Sequence, residues 1–138
     1  MKPDPKREAQ RWLSQGAHAL EVARTLLKET CYSDSCFHAE QTGQLALKAF
    51  LYGQGERSIP IHSVKALVER CATYQAEFRS VTDAGKILDQ FYIPTRYPDA
   101  LADPALPFET YTKAEAEEAV RLAEQILALV QQQLGVPS

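Results

Sequence analysis

The chain has 138 residues, 45% hydrophobic and 24% charged, which suits one domain with an ordinary core, because a chain of about 150 residues hides roughly 70% of its unfolded surface. A formal charge of −3 excludes a broad basic surface for nucleic acid, which needs clustered Lys and Arg to displace counterions, so any RNA contact must be local. No apolar run approaches the ~20 residues of a spanning helix, and the opening MKPDPKREAQ lacks the apolar stretch of a signal peptide; one domain over residues 1–138, cytoplasmic and away from membranes, is expected.

The first helix is predicted from about Pro5 to Glu29, with Trp12, Ala19, Val22, Ala23, Leu26 and Leu27 at helical spacing and Asp4 as the N-cap before a proline at the first position. The second starts near Ser33 or Asp34 and runs to about Tyr52, where the following Gly-Gln-Gly ends it. In that helix His38, Gln41 and Lys48 line up beside an apolar stripe, which makes a solvated edge or one wall of a polar cleft. After Pro60, His62 or Ser63 opens a third helix, in which Val64, Leu67, Val68 and Cys71 form the stripe to about Gln75. A fourth is expected near Val81–Tyr92, carrying Ile87, Leu88 and Phe91. The fifth runs from about Thr112 to Leu134 and opens on a capping-box spacing, Thr112 to Glu115. Between the last two, the stretch IPTRYPDALADPALPFETY holds four prolines and is too long for a plain helix–helix connection of about two to eight residues. No strand alternation competes, so the fold class is all-α with about five helices.

Several residues carry a family resemblance. An N-terminal helix with Trp12, a helix with Phe37, Ala39, Gln41, Ala46, Leu47, Lys48, Ala49 and Leu51 in the pattern FxAxQxxxxALKAxL, a short loop ending in His62, then Arg-Tyr-Pro-Asp at 96–99 and a final Ala/Glu-rich helix together resemble the HEPN domain. The match spans nearly the whole chain and is nearest to the small stand-alone prokaryotic members, which are similar to the HEPN region of sacsin. The resemblance implies an antiparallel up-and-down helical bundle, a homodimer, and pairing with a minimal nucleotidyltransferase as toxin and antitoxin. One position departs: the family often carries Glu-Lys in the middle of the second-helix motif, where this chain has Gln44 and Leu45.

Two sets of residues could carry function. Arg57 and His62 make an Arg-x4-His motif, the type found in ribonucleolytic HEPN proteins; imidazole can move a proton from a ribose 2′-hydroxyl while guanidinium steadies charge on phosphate. About 0.5 matches to the bare pattern are expected by chance in one chain of this composition. Ser58 also stands where ribonucleolytic relatives carry Asn, His or Asp. The bland reading makes His62 a helix cap or hydrogen-bond partner and Arg57 a solvated charge. The second set is Gln41, Lys48, His62, Arg96 and Tyr97, the mixture of cations, aromatic face and amide or imidazole groups that a nucleotide requires. Against it, Arg96 could tie its loop to helix carbonyls, Gln41 could bond between helices, and Lys48 could be a surface lysine with a buried stem.

The favoured expectation is a nucleotide- or partner-binding module associated with a nucleotidyltransferase; the alternative is a metal-independent endoribonuclease toxin using Arg57 and His62, acting on RNA. No cofactor or metal is expected, since neither His18 nor His38 has an acidic or histidine partner at i+4. The odd set of three cysteines, Cys31, Cys36 and Cys71, reads as free thiols, and Trp12, Phe37, Phe50, Phe91 and Tyr92 read as core. Leu13, Leu20, Phe50, Tyr52, Leu129 and Leu134 widen the apolar stripes beyond one neighbour, a second reason to expect a homodimer.

Overall fold

A computed structural model describes residues 4–137. It contains six α-helices: α1 (Pro5–Lys28), α2 (Tyr32–Gly53), α3 (Val64–Ala72), α4 (Thr82–Asp89), α5 (Pro107–Thr110) and α6 (Lys113–Leu134), with no strand among the described residues. None of these helices is long and apolar enough to cross a membrane.

The helix starts follow their local chemistry. The Asp4 side chain accepts from Lys6 N ahead of Pro5, and Ser63, not His62, caps α3 by accepting from Ala66 N. At α6 the reciprocal Thr112–Glu115 capping box is formed. Each satisfies backbone N–H groups that a first turn leaves without partners.

The fourth helix is shorter than its apolar spacing suggests. Phe78 and Val81 reach the core from a 3-10 segment, Ala76–Val81, and past Asp89 the chain tightens into i to i−3 bonds, Phe91 N to Leu88 O and Tyr92 N to Asp89 O. Pro94 disfavours helical backbone at Ile93, so the helix cannot run on. The long loop is likewise subdivided, by a 3-10 turn at Pro98–Ala100 and by the single turn of α5, each opening on a proline.

Helices α1 and α2 are joined by three residues, 29–31, and pack antiparallel: Ser35 Oγ donates to Ala23 O, and Gly16 faces Ala46. After a turn at Gln54 and Gly55, the segment 56–63, which belongs to no helix, returns the chain along α2, so that α3 runs in the same sense as α2, with Val64 against Gly43 and the Cys71 thiol on Leu47 O. Helix α4 folds back on α3. Its Gly85 stands where a Cβ would meet Lys65 N and Cα at 3.0 Å, so only glycine allows this approach of two backbones.

The core lies where α2 meets the other helices. Phe50 packs on Phe78 with centroids 4.6 Å apart, and Leu47, Leu51, Leu67, Leu88, Ile126 and Val130 are fully buried around them, each such side chain contributing about 1.5–3 kcal/mol. Of the residues expected to widen the apolar stripes, Leu13, Leu20 and Phe50 are buried inside the single chain, and Tyr52, Leu129 and Leu134 pack against its core. The breadth of those stripes is used within the bundle, because α2 is surrounded by neighbours rather than lying at its edge. The three cysteines are free thiols, with Cys36 and Cys71 buried.

Candidate functional site

One row of α2 carries polar groups where an apolar stripe would be ordinary. Glu40, Gln44 and Lys48 stand one turn apart, an i, i+4, i+8 spacing, and are exposed by 0%, 5% and 8%. The Glu40 carboxylate accepts from Gln41 Nε2 at 2.7 Å and from Gln44 Nε2. Burial pushes its pKa up to about 7; the Asp89 charge adds to the rise, while the two amide bonds and the Arg96 charge oppose it.

Beside Glu40 lies the segment that follows α4. Asp89 accepts from Ser63 Oγ at 2.7 Å and from the backbone N–H groups of Val64 and Lys65, which ties the start of α3, and with it His62, to the end of α4. The His62 ring lies flat on Tyr92, 5.8 Å between centroids with 10° between planes. The Arg96 guanidinium is 4.3 Å from the Phe37 ring centroid, 5.1 Å from Tyr92 and 4.9 Å from Tyr97. Its Nε donates to Tyr92 O at 3.0 Å. The guanidinium is thus held by ring faces of α2 and the loop, while its Nη atoms have no acceptor among the described residues and are not shut off from solvent. Phe37 and Tyr92 are half-buried flanks of this cluster, not core side chains.

The sequence-predicted residues therefore separate into two places. Gln41, His62, Arg96 and Tyr97 gather around Phe37, Glu40 and Tyr92. Lys48, far from being a surface lysine, is almost wholly buried, with Nζ 6.0 Å from the Trp12 ring. Trp12 packs on Tyr52 at 4.7 Å, and both rings line a hollow with the exposed Arg57. Arg57 lines the hollow that Trp12 also lines, whereas the His62 ring stacks on Tyr92. Gln41 bonds within its own helix, not across to another, and Arg96 bonds a carbonyl only four residues back.

The HEPN domain family matches residues 9–133. The chain belongs to the HEPN family. It is 28% identical over 140 residues to a candidate toxin of Methanocaldococcus jannaschii, covering 88% of this chain and 85% of that protein. Human sacsin is 29% identical over 120 residues, which is 85% of this chain and 3% of sacsin. Among solved structures, a protein from Thermus thermophilus has a TM-score of 0.84 at 38% identity, covering 91% of this chain and 98% of its own. An archaeal HEPN homologue has a TM-score of 0.75 at 30% identity, covering 92% and 98% respectively.

In this HEPN chain the member that sequence reading missed is Glu40. Its signal was present: a Glu one turn from Gln44 and two from Lys48, in a helix otherwise rich in Ala and Leu. A carboxyl titrating near neutrality close to the Arg96 guanidinium can change the local charge by one unit within the physiological range, and so can alter how strongly the Arg96 cluster attracts an anion.

Proposed function

We propose that this HEPN chain binds a nucleotide at the Arg96 cluster and acts with a partner protein, a minimal nucleotidyltransferase, in a toxin–antitoxin-like pair in the cytoplasm. The observation that carries the reading is the Arg96 guanidinium, flanked by three aromatic rings with its Nη atoms open to solvent. Such a guanidinium can take phosphate through two parallel N–H bonds, and the exposed Tyr97 and His62 rings offer faces for a base. Likeness to a candidate toxin supports the toxin side of the pair.

Calorimetric titration with AMP and ATP at low salt should show saturable binding, weakened at least tenfold by Arg96→Lys, which keeps the charge and loses the planar fork. Binding equal in the parent and the variant would remove Arg96 from the site. The endoribonuclease alternative requires Arg57 and His62 to meet, which a second subunit would have to supply, since within one chain they go to different rings. The dimer that this demands, and that the family resemblance also implies, should appear in light scattering at micromolar concentration as a mass near twice 15.4 kDa. A monomer there would leave the shared catalytic site without a basis while leaving the Arg96 reading intact.

A further inference from the structure

The turn that closes over Glu40 is bonded mostly to itself. Thr95 Oγ1 donates to Phe91 O at 2.6 Å, Arg96 Nε donates to Tyr92 O, and the backbone N–H groups of Arg96 and Tyr97 donate to Ile93 O. No hydrogen bond among the described residues joins residues 92–97 to α1, α2, α3 or α6. The turn rests on the bundle through two ring contacts, Arg96 on Phe37 and Tyr92 on His62, and through Thr95, its one buried residue. Phe91, buried beside Tyr111, anchors the end where the turn leaves α4.

Under the turn, Glu40 has no cation bonded to it. Its carboxyl group is wholly buried and accepts only from the neutral amides of Gln41 and Gln44 on its own helix. Two charges act on it from other elements. Asp89, at the end of α4, opposes ionisation, and Arg96, held on the Phe37 ring one turn before Glu40, favours it. Lys48, two turns further along α2, feels the Glu40 charge, and His62 lies against Tyr92. A buried carboxyl with only amides for partners either keeps its proton or must gain water. The rise of its pKa from 4.5 to about 7 makes the closed, ionised form on the order of 300-fold less favourable than an exposed carboxylate.

We infer that residues 92–97 form a pH-operated lid: with Glu40 protonated the turn lies on α2, and with Glu40 ionised it lifts from Phe37 and His62 and lets water reach the carboxylate. The motion keeps the turn's own hydrogen bonds and gives up only the two ring contacts and the burial of Thr95. Ionisation supplies the bias, since water solvates the carboxylate in the lifted state alone. Lifting also parts the Arg96 guanidinium from the Phe37 face. Its effect on a bound anion rests on the Arg96 reading, whereas the lid itself does not.

Opening is measured without any ligand, by thiol labelling of the full-length protein. Thr95→Cys in a Cys31→Ser background places a thiol at the buried position of the turn and leaves Cys36 and Cys71, both buried, as the other two. Comparing chains with and without Glu40→Gln at each pH cancels the ordinary rise of thiolate with pH. At about pH 8.5 the thiol at position 95 should react roughly tenfold or more faster with Glu40 present than in the Glu40→Gln chain, and at about pH 5.5 the two rates should agree. Equal rates at the higher pH overturn the inference, as does an equal acceleration at Cys71, which would mean that the whole bundle opens. His62→Phe keeps a ring on Tyr92 and should leave the pH dependence in place; its disappearance would put the titrating proton on His62 and overturn the lid. The ring protons of His62, shifted by the Tyr92 face, give a second reading in a chain with Thr95 intact. At about pH 8.5 their resonances should move toward unstacked positions in the parent and not in Glu40→Gln, and identical positions in the two overturn the inference.

Discussion

Replacing Glu40 with Gln should raise the midpoint of thermal unfolding at about pH 8 by roughly 10 °C and change it little near pH 4.5. The reason is the proton balance of one buried carboxyl. Its pKa is pushed from an ordinary 4.5 up to about 7 in the folded chain, chiefly by burial. Between those values the unfolded chain has released its proton and the folded chain still holds it, so folded stability falls as pH rises through that window. Above about pH 7 the loss is complete and on the order of 3 kcal/mol, at about 1.4 kcal/mol per pH unit; below about pH 4.5 both states are protonated and nothing is lost. Gln cannot ionise and removes the dependence, and the amides of Gln41 and Gln44 can rotate to keep their bonds to it. Circular dichroism melts of both proteins at three pH values measure this. A difference between them that does not vary with pH would show that Glu40 is not the titrating group.

Arg96→Ala should lower the unfolding midpoint by roughly 6–10 °C, whereas Arg121→Ala should move it by less than about 2 °C. Arg96 meets the faces of Phe37, Tyr92 and Tyr97 and bonds Tyr92 O, contacts worth about 0.5–2 kcal/mol each when sheltered and not fully additive. Their loss also frees the segment that covers Glu40. Arg121 is an exposed residue of α6. Equal midpoints for the two variants would mean that the rings hold the loop without the guanidinium. Arg96→Lys separates charge from shape: lysine keeps the cation but stacks poorly, so most of the loss should remain.

The helices were legible in the sequence because their signals are local. Asp4 before Pro5, Ser63, and the Thr112–Glu115 pair act on N–H groups within three residues of themselves, and the apolar periodicity of α1, α2 and α6 needs no knowledge of partners to be seen. HEPN membership was legible for a related reason, since its motif residues lie in order along the chain. The end of α4 was less so: Ile87, Leu88 and Phe91 keep helical spacing through a turn that i to i−3 bonds follow equally well.

What the sequence could not display is which residues of different segments share a wall. Glu40 is buried because the end of α4 and the turn at 91–97 close over α2, and its pKa depends on Asp89 and Arg96, some fifty positions away. Lys48 reads as a surface lysine until α1 places Trp12 over it. Arg57 and His62, five residues apart in sequence, lie on the non-helical segment that follows α2, which takes Arg57 to the hollow that Trp12 lines and His62 to the Tyr92 ring. Short-range chemistry sets where helices begin and which faces are apolar. Burial, counter-ions and the grouping of side chains into a site depend on long-range packing, and only the tertiary structure decides them.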